Sequence, residues 1–325
     1  ATTFSGNVTG NVTGSGANLT SIPAGQLTGT VADARLTSVT ASKLSGALPA
    51  IDGSALTGVG ASFGNSSVNT SGIITATAFV PSQGQLSHRN LIINGDMNVA
   101  QRGASSTTSG YGSVDRFSIQ NTGTDEAPTH AQVDVASGTT PYTLGFRKGL
   151  KITNGNQTSG AGTSDIIDIK YSIESQDVAK SGWNYTSSSS NVTLQFWVKS
   201  SVAQNFFGHL VTNDGTSQNY PFETGSLSAD TWTKVTKTIP GNSNLQFDND
   251  TGKGLEIRIL PFAGTGRTAS SATLNQWAAY DGAARTPDNT ATWYTTNDAT
   301  LEITGVQLEV GNSASDFQHL SLIHI

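Results

Sequence analysis

Six residues in polar stretches carry side chains of the kind that bind sugars. Sugar binding uses aromatic rings that stack on C–H faces, together with amide and carboxylate groups that hydrogen-bond to hydroxyls. Binding residues concentrate on loops, so we expect a glycan-binding surface from side chains in or beside the Asn-, Ser- and Asp-rich loops. These candidates are Tyr185, Asn213, Asp214, Tyr220, Tyr280 and Asp281. The alternative for each is an ordinary loop residue.

The acidic residues do not predict an enzyme. Glycoside hydrolysis needs two carboxyl groups about 5–10 Å apart, one of them with a raised pKa. Asp and Glu total 23, and the densest groups, Asp125 with Glu126 and Asp248 with Asp250, lie in turn-like stretches where solvated acids are expected. We therefore expect no catalytic residues.

One turn could hold a cation. The sequence DNDTG places Asp248 and Asp250 ahead of Gly252, as calcium loops do, but the distal Glu of such a loop is missing. A plain β-turn is favoured, with structural calcium as the alternative. The chain has no Cys, which excludes disulfides and thiolate metal sites. The sequence therefore predicts no metal site and no cofactor.

The amino-acid composition of the chain changes near residue 90. All five Trp, all seven Tyr and nine of the twelve Phe follow it, so a conventional core can form only there. The formal net charge is -6 with no cluster of Lys or Arg, which argues against nucleic acid as a partner. No stretch approaches the roughly 18 apolar residues that span a bilayer, so no membrane insertion is expected.

Short leucine repeats fill the first part of the chain. Leu19, Leu27, Leu36, Leu44 and Leu56 each begin a phrase of the type L-T/S-G/S, followed by a second apolar residue. Such a phrase has one narrow apolar edge, which a single chain cannot bury in units this short. Three chains wound together could bury it, so we expect a trimeric β fibre. The alternative is a flexible Gly/Ser/Thr linker.

The part after residue 90 alternates with the period of β-strands. Apolar residues recur at every second position in 167–173, 192–198 and 255–259, and turn clusters separate these runs. The apolar residues of this segment occupy odd positions up to Ile303 and even positions from Val306 onward. This change predicts a β-bulge at Gly305, which would restore the register. Lys237 interrupts the apolar face of its strand, which marks that strand as an edge or as one with a partly solvated face. About ten such strands predict an antiparallel β-sandwich, specifically a jelly roll.

Several motifs resemble one known family. NLIINGDMNVAQRG (90–103), VDRF (114–117), VTLQFWVKSS (192–201), TWTKVTKTIPG (231–241) and TGVQLEVG (304–311) are similar to the C-terminal region of bacteriophage tail-fibre proteins, and the leucine repeats resemble shafts of marine and cyanophage fibres. The resemblance covers about residues 90–319. It implies a homotrimeric fibre in the virion with a carbohydrate-binding-module-like head. It also places tryptophans in scaffold segments, where we expect packing: Trp183, Trp232, Trp277 and Trp293.

We therefore expect an all-β chain in four parts. Residues 1–60 form the fibre shaft, 61–89 a neck, and 90–319 a β-sandwich head that binds host receptors. Residues 320–325 resemble the translation of a sequencing adapter. The predicted function is host adhesion through a bacterial surface glycan, with attachment to other virion tail proteins through a part N-terminal to Ala1. The alternatives are a structural fibre segment carrying a separate tip, or a capsule-degrading tailspike enzyme.

Overall fold

The head is an all-β domain. The computed structural model of the protein describes Gly6, Thr9, Gly10 and residues 89–318. The chain divides into two compact units, Ala1–Thr75 and Ala76–Ile325. Apart from Gly6, Thr9 and Gly10, the predicted shaft lies outside the described residues, as do the predicted neck up to residue 88 and the segment 320–325. Within the described residues, no helix is long and apolar enough to cross a membrane.

Twelve strands and three short helices make up residues 89–318. Two of the strands are only two residues long, so the ten longer ones agree with the number predicted. The strands are β1 (Ser105–Ser106), β2 (Phe117–Thr122), β3 (Thr129–Asp134), β4 (Lys148–Thr153), β5 (Ile166–Glu174), β6 (Asn191–Ser200), β7 (Asn205–Thr212), β8 (Gln218–Ser226), β9 (Thr233–Pro240), β10 (Lys253–Ala263), β11 (Ala278–Ala279) and β12 (Thr300–Val310). The helices are α1 (Thr140–Thr143), α2 (Ser175–Ala179) and α3 (Thr292–Thr295).

The strands form two antiparallel sheets. Sheet A has the order β1-β3-β4-β12-β6-β9, and sheet B has the order β11-β8-β7-β10-β5-β2. From β4 to β10 the chain crosses to the other sheet after every strand except at the β7–β8 hairpin. The strands β4-β12-β6-β9 facing β5-β10-β7-β8 form the two four-stranded sheets of a jelly roll. The predicted fold of the head is confirmed.

The core lies between the two sheets. Alternation along β5 buries Ile167, Ile169, Tyr171 and Ile173, and the corresponding residues of the other strands join the same cluster. Phe196 of sheet A and Phe222 of sheet B meet across the interior, with ring centroids 6.3 Å apart. The even-numbered residues of β5 consequently point to the outer face of sheet B, because successive side chains alternate between faces.

A bulge keeps β12 in register, as its parity change predicts. Between the pairs Thr304–Trp197 and Gln307–Gln195, β12 advances three residues while β6 advances two. Gly305 takes a positive φ of 63°, which glycine adopts without steric cost. The extra residue lets Leu301, Ile303, Val306 and Leu308 all be buried.

Two further predictions about strand edges and turns are confirmed. The strand with Lys237, β9, is the edge strand of sheet A. The cluster 213–215 forms the turn of the β7–β8 hairpin, and the clusters 241–244 and 248–252 lie between β9 and β10.

Most of the tryptophans predicted to pack do so. Trp183, Trp277 and Trp293 are buried. Trp232 is only half-buried, with the Lys199 ammonium 5.2 Å from the centre of its ring. The prediction of a packing role is confirmed for the first three. Trp232 instead lies just before the start of edge strand β9 and remains partly exposed.

Candidate functional site

Tyr220 is a core residue, and its predicted place in a binding loop is wrong. It lies within β8, is 1% exposed, and packs against Trp277 with ring centroids 5.2 Å apart. Burial raises its pKa to about 12. The physical reason is strand alternation: Tyr220 and Phe222 share the inward face of β8. Because polar residues precede Tyr220, the sequence did not show that Tyr220 and Phe222 lie on the same face of a strand.

Tyr185, Asn213 and Asp214 lie near one end of the sandwich. The Asp214 carboxylate accepts hydrogen bonds from the Ser175 hydroxyl and, at 3.1 Å, from the backbone N–H of Asp248. Asn213 is exposed, and Tyr185 is half-buried, its ring centroid 4.9 Å from that of Phe247. Asp214 therefore holds loops together. Tyr185 packs against the edge of the core.

Tyr280 and Asp281 follow β11 in a different part of the head. Tyr280 is half-buried, and its ring lies parallel to the buried imidazole of His209, with centroids 6.5 Å apart. Asp281 is exposed, and its Oδ1 accepts a hydrogen bond from the N–H of Ala283 at 2.9 Å. Asp281 also lines a pocket of about 360 Å³ beside Asn219 and Trp277. The six predicted residues thus do not form one site.

A charged cluster lies on the outer face of sheet B. Arg258 of β10 donates from Nη1 to Oδ2 of Asp168 at 3.1 Å and from Nη2 to Oε2 of Glu256 at 2.7 Å. Lys170 Nζ is 3.9 Å from the same Asp168 oxygen, and His209 is paired with Arg258 in the β7–β10 register. Asp168, Glu256 and His209 are buried, although they face away from the core.

The segment 264–290 covers part of this charged face. The Asn219 side chain accepts from His209 Nδ1 at 2.6 Å and donates to the carbonyl of Arg285 at 2.8 Å. That network makes Nδ1 the protonated nitrogen of a neutral imidazole, because the Asn219 amide oxygen can only accept. The covering segment explains why His209 is buried although it lies on an outer face.

The pKa values of the two carboxyl groups in this cluster are shifted in opposite directions. Burial raises the pKa of Asp168, and the charges of Arg258 and Lys170 offset only part of that effect. Burial acts on Glu256 too, but hydrogen bonds and charges from Arg258 and Lys253 outweigh it and lower its pKa to about 2. Divergent carboxyl pKa values are typical of acid–base pairs. Here both groups are buried under one guanidinium, which makes a structural ion pair the simpler interpretation.

A pocket near one end of sheet B combines an exposed aromatic ring with hydrogen-bonding groups. It measures about 250 Å³, and its lining includes Tyr111, Arg102, Arg116, Glu174 and Lys253. Tyr111 is 49% exposed, one of only two exposed large hydrophobic side chains among the described residues. Tyr111 is not among the residues predicted from the sequence to bind a ligand. Its one sequence signal is its place between two glycines, Gly110 and Gly112.

The charged groups around this pocket are balanced. The Arg102 guanidinium lies 3.6 Å from the Asp115 carboxylate and 5.9 Å from the centre of the Tyr111 ring. Lys253 Nζ lies 3.2 Å from Glu256 Oε1. The pocket therefore offers both donors and acceptors beside an aromatic face. This combination suits a ligand rich in hydroxyl groups, which both donate and accept.

The described residues contain no group of three or more His, Asp or Glu side chains arranged to hold a metal ion. In the turn that could have bound calcium, Asp248 Oδ1 accepts from the Gln246 amide at 3.2 Å and Asp250 Oδ1 accepts from the N–H of Gly252 at 2.9 Å. The second contact is that of an Asx-type turn.

Comparison with known proteins yields structural likenesses only. No family profile matches the sequence. No curated protein matches it either.

The similar solved structures include phage tail components and carbohydrate-binding modules. One is the enzymatically active domain of tailspike protein 4 of bacteriophage CBA120, at 11% identity and a TM-score of 0.35, covering 68% of this chain and 21% of that one. Another is the N-terminal cellulose-binding domain of Cellulomonas fimi β-1,4-glucanase C, at 10% identity and a TM-score of 0.30, covering 67% of this chain and 99% of that one. A third is the tripod of the bacteriophage Tuc2009 baseplate, at 10% identity and a TM-score of 0.31, covering 73% and 60%. The jelly-roll assignment therefore rests on the strand order itself.

Proposed function

We propose that this chain is a tail-fibre protein of a phage virion and that its head, residues 89–318, binds a glycan on the bacterial surface. The observation that carries the proposal is Tyr111, exposed at the rim of a pocket lined by hydrogen-bonding groups. The sequence motifs that resemble tail-fibre proteins support the assignment to a phage virion. The jelly roll is a fold used by lectin domains.

In the proposed complex, one sugar residue stacks on the Tyr111 ring. Arg102, Arg116 and Lys253 donate to its hydroxyl oxygens, and Glu174 accepts from its hydroxyl hydrogens. The pocket of about 250 Å³ lies just below the usual range of about 300–1,000 Å³ for ligand pockets. It therefore holds a short part of a glycan. Weak individual sites suffice, because several fibres on one virion bind together.

We propose further that the head binds without cleaving. The carboxylates with divergent pKa values, Asp168 and Glu256, are both buried beneath Arg258, where a glycosidic bond has no access. Incubation of the protein with host polysaccharide, followed by reducing-end analysis, tests this point. New reducing ends would favour a capsule-degrading tailspike.

The proposed fibre is a homotrimer held together by the leucine repeats. Each repeat has one apolar edge, which neighbouring chains would cover. Changing Leu27, Leu36 and Leu44 together to Asp is expected to dissociate the trimer, because three charges per chain would then be buried at the seam. Light scattering at micromolar concentration measures the mass of both proteins. A monomeric parent would contradict the proposal.

Adsorption of variant proteins to host cells tests the binding site. Tyr111→Ala should weaken binding about two- to tenfold at a single site, the range expected for losing one aromatic stacking contact. Tyr111→Phe keeps the ring and should bind like the parent. Both variants should melt like the parent, because the side chain is half exposed.

Tyr280→Ala is the matched control in the segment after β11, where the neighbouring Asp281 lines the pocket of about 360 Å³. Loss of adsorption by Tyr280→Ala with full adsorption by Tyr111→Ala would move the site to the segment 264–290. Full adsorption by both variants would leave the head as a structural part of the fibre and would overturn the proposed site.

A further inference from the structure

A second pocket lies on the outer face of sheet A, opposite the sheet that carries Tyr111. It measures about 290 Å³ and takes its lining from β6, β9, the β12 bulge, the turn after α1 and the C-terminal segment. Leu144 at its rim is 57% exposed. Leu144 and Tyr111 are the two exposed large hydrophobic side chains of the described residues, and each lines a pocket.

One wall of this pocket is apolar. Phe146 and Phe317 contact each other edge to face, with ring centroids 4.9 Å apart, and Leu144 lies beside them. Trp197, half-buried on the outward face of β6, adds a third aromatic ring. The pocket thus combines a place for a small apolar group with an indole on which a sugar ring can stack.

The polar lining supplies one cation, one carboxylate and one amide. Lys234 and Asp316 are both exposed, and neither side chain makes an ion pair or hydrogen bond within the described part of the chain. Gln195 is 3% exposed, and its Nε2 donates to the carbonyl of Ser315 at 2.8 Å. That bond fixes the orientation of the amide and leaves Gln195 Oε1 without a partner among the described residues.

A buried amide oxygen without a partner is costly, so its presence beside a pocket points to a donor from a ligand. A ligand that fits this lining must present a donor, an acceptor and a small apolar group close together. The acetamido group has all three: an N–H for Gln195 Oε1, a carbonyl for the Lys234 ammonium, and a methyl group for the wall of Leu144, Phe146 and Phe317. Asp316 then accepts from a hydroxyl group of the sugar ring.

We propose that this pocket is a second binding site, specific for 2-acetamido sugars. The sugar ring stacks on Trp197, and its acetamido group enters between the apolar wall and the polar side chains. Glucose has a hydroxyl in place of that group and lacks both the methyl and the amide. The site is independent of the Tyr111 pocket, because the two lie on different sheets.

Saturation-transfer difference NMR on the full chain tests this proposal, with N-acetylglucosamine as the probe and glucose as the matched control. N-acetylglucosamine should be saturated, most strongly at its acetyl methyl protons, whereas glucose should give no signal from this site. Lys234→Gln and Asp316→Asn change exposed side chains and should leave the fold intact. Each should weaken binding about tenfold, as expected for losing a hydrogen bond to a charged group.

Two further variants separate this site from the first one. Lys180→Gln removes an exposed lysine outside both pockets and should leave the N-acetylglucosamine signal unchanged. Tyr111→Ala removes sugar stacking in the first pocket; in that background the acetyl methyl signal should persist and should still weaken when Lys234→Gln or Asp316→Asn is added. In the Tyr111→Ala background, absence of saturation, equal saturation by glucose, or a signal unaffected by both Lys234→Gln and Asp316→Asn would each overturn the proposal. A signal lost only in Tyr111→Ala would place the sugar in the first pocket and would also overturn it.

Discussion

The ring of Tyr220 packs against the indole of Trp277, with centroids 5.2 Å apart, and both side chains are buried. The indole Nε1 also donates to the carbonyl of Pro240 at 2.7 Å, which ties the loop bearing Trp277 to the end of β9. Tyr220, which was expected to bind a ligand, and Trp277, which was expected to pack, thus belong to the same core cluster.

We predict that Tyr220→Ala and Trp277→Ala each lower the free energy of unfolding by about 3–5 kcal/mol, the usual cost of deleting a large buried aromatic side chain. Tyr220→Phe should cost less than about 1 kcal/mol, because its hydroxyl makes only a long contact of 3.5 Å with the Thr238 carbonyl. Urea denaturation measures all three. A Tyr220→Ala protein as stable as the parent but unable to adsorb would restore the binding interpretation.

Gly305→Ala should destabilise the head by about 2 kcal/mol or more. The residue has a positive φ, and a Cβ there would lie 2.7 Å from Cζ of Phe146. Gly138→Ala is the matched control, since Gly138 also has a positive φ but no atom within 4 Å of the added Cβ. It should cost about 1 kcal/mol. Equal losses of stability in Gly305→Ala and Gly138→Ala would show that the Phe146 ring moves away from the added Cβ without cost.

Arg258→Met should cost about 3–5 kcal/mol, because it leaves the buried carboxylates of Asp168 and Glu256 without their shared partner. Adding Asp168→Asn to the same chain should recover part of the loss, since one of the two charges is then removed. Arg102→Met, which breaks a longer pair of 3.6 Å whose guanidinium is exposed, should cost less than about 1 kcal/mol. Chemical denaturation compares the variants, and similar losses at Arg258 and Arg102 would argue against a tight buried pair.

His209 should make stability depend on pH. Burial, reinforced by the positive charge of Arg258, lowers its pKa to about 3, against about 6.5 in the unfolded chain. Between these values the unfolded chain binds more protons than the folded one. The free energy of unfolding therefore falls as the pH drops through this window, by at most about 1.4 kcal/mol per pH unit from this group.

His209→Gln removes this contribution and should flatten the pH dependence between about pH 6 and pH 4. The raised pKa of Asp168 acts in the opposite sense, because the folded protein holds that proton more tightly. Since Asp168 is present in both proteins, the difference between their slopes isolates His209. Identical slopes for parent and variant would contradict the buried neutral imidazole.

Thermal melts with and without a chelator should coincide. Asp248 and Asp250 use carboxylate oxygens in hydrogen bonds within their own loops, and no metal-binding cluster occurs in the described residues. A fall of many degrees in Tm on adding chelator would instead place calcium in this turn.

The sequence by itself determined the strands of the head. The alternation of apolar residues in β5, β6 and β10, the bulge at Gly305 and the edge strand with Lys237 were all readable, because a strand's two faces follow from local spacing. The core roles of Trp183, Trp277 and Trp293 were expected from the resemblance to tail-fibre proteins, which places these residues in scaffold segments. These features depend on residues that are close together in the chain.

Only the tertiary structure decided which polar and aromatic residues can meet a ligand. Tyr111 lines a pocket with Glu174 and Lys253, which are distant in sequence, and no local pattern joins them. Tyr220 is buried because it lies within β8, on the face that points into the core, where its ring packs against Trp277. Asp168 and Glu256 come from two different strands, and only the pairing of β5 with β10 brings both carboxylates to Arg258. Exposure depends on which distant segments cover a surface, and that information is absent from the spacing of neighbouring residues.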